Sequence, residues 1–285
     1  MPNSYLWPSV THRLYMIKLF RNVRRRLLKE NRFSRYLIYA IGEIILVVIG
    51  ILIALSINNW NANRINRHKE SVYLSNIERD LKEQLASIDA QMKYEHNVIE
   101  IAEPMILNYK STHEFKVDST FTASIGRLTG RRTFVKNNPT YVELLSSGNI
   151  DIISKDSLKN ALVSYYQQME LMEQIINKNN NLFTDAVFIP EVLPLTEVQL
   201  TSIYNTDLSK GLFSNIPAHI SNSMTDLNEE NLKDITSSQL QIPEKQLLLI
   251  NAINFRYQLS IIHYTLLIQQ QKRTQDLLTI VSDHD

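Results

Sequence analysis

The sequence contains no cysteine. That removes disulfides, thiolate nucleophiles, sulfur ligands for structural zinc and any lipid-modified cysteine. It is compatible with an oxidising compartment without selecting one. Glycine is scarce too, six residues in 285, with only Gly126, Gly130, Gly148 and Gly211 beyond the long apolar run described below. So little glycine opposes sandwiches, barrels and glycine-rich phosphate loops, and neither G-x-G-x-x-G nor G-x-x-x-x-G-K-[ST] occurs. H-E-x-x-H and G-x-S-x-G are missing as well, and no repeat of fixed length is visible. No residue set points to catalysis, a cofactor or a metal, so the chain reads as a non-enzyme.

What is present in abundance is an uninterrupted apolar run. From Tyr36 to Ile57 the sequence carries one charge, Glu43, and no proline. About 20 apolar residues at 1.5 Å rise cross the roughly 30 Å hydrocarbon core, whereas a buried soluble helix rarely stays apolar on every face for so long. A cleaved signal is the competing reading, since Ala54-Leu55-Ser56 resembles a cleavage box, but cleaved signals use apolar cores of roughly 7–15 residues. The run is therefore expected to be retained as a transmembrane anchor. Within it Ala40, Glu43, Val47, Gly50 and Ala54 recur by threes and fours, which puts a carboxyl and small residues on one face suited to a second copy or another membrane protein. The bland alternative is that Glu43 snorkels toward Arg35 or Tyr39.

Charge orients the span. Up to Ile57 there are nine basic and two acidic residues, and after it 21 basic and 27 acidic. Lysine and arginine stay on the cytoplasmic side, so residues 1–35 are expected to form a basic cytoplasmic head lying on anionic lipid as an amphipathic helix from Ile17. Nucleic acid is the weaker reading of these arginines, because their juxtamembrane position is already explained by lipid and topology. Residues 58–285 then belong to the periplasm.

Residues Met16 to Asn61, with the basic head, YLIYAIGEI, VVIGILIAL and the following NNWN, resemble the opening of an uncharacterised family of single-span membrane proteins of Bacteroidetes. TYVELLSSGNIDIISKDSLKNALVSYY, from Thr140 to Tyr166, is similar to its second recurring block. The resemblance implies a single-pass architecture and the bacterial inner membrane. As a domain of unknown function, the family implies no activity.

Along the body, Leu74, Ile77, Leu81, Leu85, Ile88, Met92, Ile99 and Ala102 mark one helix from Asn61 to Glu103, which Pro104 is expected to limit. Glu78 and Glu95 interrupt this stripe, so a bundle helix is favoured over a strict coiled coil. Glu78 and Asp80 are read as a solvated acidic face. Shorter helices fit 120–128 and 141–147, with Gly148 placed to follow the second. Ser154 looks like the N-cap of a regular helix through Leu158, Leu162, Tyr165, Met169, Met172 and Ile176, ending in the asparagines 177–181. Prolines make 182–242 an irregular insertion. A last helix runs from Pro243 to Val281, its stripe taken as Leu247, Ile250, Tyr257, Ile261, Tyr264, Ile268, Leu278 and Val281. Antiparallel pairing of the two long helices brings Met92 beside Asn251, and the same pairing lets His96 and His263 approach with Glu95 or Glu100 nearby.

The expected fold is thus mostly α, with one N-terminal transmembrane helix followed by an elongated extracytoplasmic helical bundle. The expected role is a membrane-anchored envelope interaction or scaffold protein. A sensor-like periplasmic ligand-binding protein that signals through a partner is the alternative.

Overall fold

A computed structural model describes residues 33–198 and 229–283, and among them every regular element is helical. The head helix expected from Ile17, and residues 199–228 of the expected insertion, lie outside the described residues. The chain divides into two units, Met1–His68 and Lys69–Asp285. In the first, the described residues belong to helix α1, Phe33–Thr112, which continues into the second. This helix is long and apolar enough to cross a membrane, and its apolar stretch is unburied, with Ile44 and Leu46 exposed.

The second unit is built on three helices: the remainder of α1, α4 at Asp156–Asn179 and α7 at Pro243–Ser282. Shorter helices α2 (Ser119–Thr129), α3 (Pro139–Ser146), α5 (Ile189–Val192) and α6 (Glu230–Gln239) connect and cap them. Each long helix turns a seam inward at strict three-four spacing. On α1 it is Leu74, Ile77, Leu81, Gln84, Ile88, Gln91, Glu95, Val98 and Ala102. On α4 it is Leu158, Leu162, Tyr165, Met169, Met172 and Ile176. On α7 it is Leu249, Ile253, Arg256, Ser260, His263, Leu267, Gln270, Thr274, Leu277 and Val281. These are sustained heptad seams. The α4 seam is the one its sequence pattern shows, whereas on α7 about half of the positions are polar, so an apolar reading drifts one position to the flank, where Leu247 and Ile268 are exposed. Asp80, expected on a solvated face, is 1% exposed.

α1 and α7 pair antiparallel, but in a different register from the one expected. Asp89 lies beside Gln271, Glu95 beside His263, Glu103 beside Tyr257 and Tyr109 beside Gln246. Met92 is therefore about four turns from Asn251. The expected register assumed that Pro104 ends the helix, whereas α1 runs on to Thr112. Pro104 and Glu100 are both exposed, so the Glu100 carbonyl that loses its partner is on the water side.

α4 also runs antiparallel to α7, through Tyr165 with Thr274 and Asn179 with His263, and is thus parallel to α1. The chain returns between them as an extended strap, residues 131–138, fixed by side chains. Asn177 meets both backbone groups of Phe134, accepting its N–H at 3.0 Å and donating to its carbonyl at 2.8 Å. Glu173 and Gln84 accept the N–H groups of Lys136 and Asn137, while Gln91 and Asn180 donate to the Arg132 carbonyl. Asp80 accepts the Thr140 N–H at 3.0 Å, supplying a cap to α3 from another helix. Gly148, at φ +68, follows α3 in the left-handed conformation, as its position after that helix suggests.

Two other local expectations are corrected. Ser154 does not cap α4. Its N–H and hydroxyl both donate to Glu70, and Lys155 precedes the first helical residue. α4 does end in the asparagines, at Asn179, but the chain stays helical there: Asn177 and Asn180 spend their amides on the strap instead of their own backbone, and α4 passes into a π-helix over Asn180–Phe188, then α5. The described parts of 182–242 are thus largely helical, with α6 after the undescribed stretch.

Candidate functional site

The membrane-facing candidate is open to its surroundings. Glu43, Val47, Gly50 and Ala54 are exposed on α1, and Ala40 is half-exposed. A Cβ built at Gly50 meets nothing within 4 Å, so no neighbour in this chain requires glycine there. Tyr39 is exposed. On this helix the three-four spacing of the five residues puts them on one face, and no other described element covers it.

A second constellation lies inside the Lys69–Asp285 unit. The apolar core has two parts, one around Leu74 to Ile88, α4 and Leu267 to Val281, the other around Val98 to Ile106, α2, α5 and Leu249 to Ile253. Between them each long helix contributes polar seam residues: Gln91 and Glu95 from α1, and Arg256, Ser260 and His263 from α7, all at most 1% exposed. His263 Nδ1 lies 3.2 Å from Glu95 Oε1, and its Nε2 lies 3.2 Å from the Asn179 amide of α4. Gln91 donates to the same Glu95 oxygen at 3.0 Å, while Glu95 Oε2 faces Arg256 Nη1 at 4.0 Å.

Arg256 is held by the fold itself at four of its five N–H groups. Its Nε donates to the Leu128 carbonyl, Nη1 to Ser260 Oγ, and Nη2 to the Gly130 carbonyl and Tyr94 Oη. The C-terminal end of α2 thereby places two carbonyls against the cation, where the helix dipole favours it. Burial pushes the Glu95 carboxyl up, but the His263 hydrogen bond and the charges of Arg256 and His263 outweigh it and hold the carboxyl below its usual range. Burial pushes the Tyr94 hydroxyl up to about 12 despite the neighbouring Arg256 cation, so it remains a protonated phenol.

This is the arrangement of a structural charge layer. Four of the five guanidinium N–H groups are taken by the fold, Glu95 Oε1 is shared by Gln91 and His263, and Glu95 Oε2 is buried 4.0 Å from Arg256 without a hydrogen bond. The expected approach of His96 and His263 does not occur: His96 is exposed, 3.3 Å from Glu100 and against the Tyr264 ring, while His263 is directed to Glu95. Among the described residues no group of three metal-ligating side chains forms. On the surface nearby, Asp89, Met92, Lys93, His96 and Tyr264 line a depression of about 210 Å³, below the roughly 300–1,000 Å³ of small-molecule sites.

Sequence reasoning met Glu95 as an interruption of an apolar stripe and as a neighbour of His263 once the two long helices pair, which the structure shows, but it gave Arg256 no part in the site. The usable signal was spacing: these residues fall on the three-four repeat of their helices, where a charged group must be paired. No curated protein and no solved structure matches the chain. A family model does match, over residues 43–185, which takes in the end of the apolar run, Gln91, Glu95 and all of α4, while Arg256 and His263 lie beyond it. By that match the protein belongs to a family of unknown function, DUF6090.

Proposed function

We propose that the protein is a single-pass inner-membrane protein whose basic N-terminal head is cytoplasmic and whose helical body is periplasmic. It serves there as a non-catalytic interaction or scaffold protein of the bacterial envelope. Its partners on this reading are membrane lipid and, through Ala40, Glu43, Val47, Gly50 and Ala54, a second copy or another membrane protein; nucleic acid is not among them. The observation that carries the proposal is the exposed apolar stretch of α1, which has no cover among the described residues and suits hydrocarbon. The charge asymmetry of the sequence supports the orientation. The reading of the body as non-catalytic is supported by a polar layer in which Arg256 is held by carbonyls and hydroxyls of the fold and Glu95 Oε1 by Gln91 and His263.

The alternative, a sensor-like body that signals through a partner, draws on one feature. The same helix that carries the apolar stretch also carries Glu95, so a ligand that altered the layer would act on an element shared with the anchor. Protease added to spheroplasts tests the main proposal. Digestion of the body with retention of a membrane-embedded fragment containing the head is the expected result; protection of the body overturns it. A thermal-shift screen of small metabolites separates the alternative, which requires a stabilising ligand.

A further inference from the structure

α7 has a second seam. Leu248, Phe255 and Ile262 stand seven residues apart, each followed three residues later by a polar one, Asn251, Gln258 and Thr265. The three apolar side chains are 46%, 41% and 51% exposed, and the polar ones are exposed or half-exposed. They lie on the flank of α7 away from the Asp89, Glu103 and Tyr109 contacts, where the Phe183 ring of the π-helix rests edge-on against Phe255. One seam of α7 is filled by the bundle; among the described residues this one meets Phe183, at Phe255, and stays largely exposed.

The strip is neutral. Between Gln246 and Gln271 the charged or titratable side chains other than the tyrosines are Arg256 and His263, and both are buried in the polar layer, in a chain that is 21% charged overall. A phosphate backbone or an anionic lipid surface finds no counter-charge on it. An identical strip does fit, because two neutral seams meet without like-charge repulsion and share the seven-residue repeat by construction. At 1.5 Å per residue the strip from Leu248 to Gln269 is about 32 Å long, enough for three heptads of helix pairing. We propose that the α7 strip is a homodimer interface, pairing with α7 of a second copy of this chain. The proposal rests on the reading of the body as an interaction domain and names its partner.

The absence of native cysteine makes the test direct. Leu248→Cys, Phe255→Cys and Ile262→Cys, each alone in the full chain in native membranes, are oxidised and read on non-reducing gels, with the exposed Glu100→Cys on α1 as control. Interchain dimer at all three supports a parallel pair, and dimer at Phe255→Cys alone supports an antiparallel one. Yields no higher than the control at every position overturn the proposal, even if other proteins co-purify with the chain and the interaction reading stands. As an independent measure, Phe255→Lys with Ile262→Lys puts four cations into the seam of a pair, and about a hundredfold weaker self-association in mild detergent is expected. Both sites are solvent-exposed, so the helical circular dichroism should persist. Unchanged self-association in this variant overturns the proposal.

Discussion

Glu95 occupies a position where a leucine would normally sit, and it stays there because three neighbours hold its charge. The His263 hydrogen bond, the Gln91 amide and the Arg256 cation offset a burial that by itself would drive the carboxyl toward protonation. Because the folded-state pKa lies below the usual value near 4.5, the stabilisation from Glu95 is fully present above that value and is lost as pH falls through the folded pKa. Glu95→Gln should therefore lower the unfolding midpoint at neutral pH and flatten its decline in acid, so that the two curves converge. Leaving Arg256 buried without its counter-ion should cost on the order of 3–5 kcal/mol near neutrality. Thermal melts followed by circular dichroism between about pH 3 and 7 measure this, and parallel curves for parent and variant would assign the acid sensitivity to other carboxylates.

At the scale of elements, the strap is the feature that no local pattern announces. Residues 131–138 have neither helical nor strand periodicity of their own, yet Phe134 is 1% exposed and its two backbone groups are satisfied by one side chain, Asn177. Asn177→Ala should destabilise the unit by about 1–3 kcal/mol, because a buried N–H and carbonyl lose their partners together. Amide exchange at Phe134 should accelerate more than exchange in the middle of α4; equal acceleration at both sites would mean that the bond only contributes to global stability. Helix positions were legible from sequence because their apolar residues recur at a fixed period, and Gly148 was legible because the residue after a helix has a defined backbone need. The end of α1 and the π-helix that follows α4 were not. Pro104 is a local stop signal overridden because the carbonyl it frees, at Glu100, is on an exposed face, and the asparagines close α4 at Asn179 without breaking the chain, since Asn177 and Asn180 give their amides to the strap. The polar layer was only partly legible, since a pattern that scores apolar residues counts Gln91, Glu95, Arg256 and His263 as breaks in the very seam they occupy.

On the scale of the whole molecule, the two units solve opposite problems. One leaves its apolar side chains uncovered, and the other buries polar ones between two apolar cores. In the second unit a slip of α7 by one heptad would set Ser260 or Thr274 in the place of Leu267, at the cost of aliphatic contacts in the cores. The layer does not tolerate it. A seven-residue slip takes His263 away from Glu95 and Asn179 and leaves a buried carboxylate and a buried guanidinium apart, at a cost of several kcal/mol. Replacing the layer by apolar residues of similar size, Glu95→Leu, Arg256→Met and His263→Leu together, should therefore leave stability unchanged or raise it by about 1–4 kcal/mol while loosening the register. Paired cysteines read the register in a chain that has none of its own. In the parent background, Asp89→Cys with Gln271→Cys should give the intrachain product of a short bifunctional maleimide, and Asp89→Cys with Leu278→Cys, one heptad further, should give little. In the triple variant the second pair should gain yield at the expense of the first. If the triple variant keeps the parent's crosslinking pattern, packing of the two apolar cores is sufficient to set the register, and the charges of the layer have some other role.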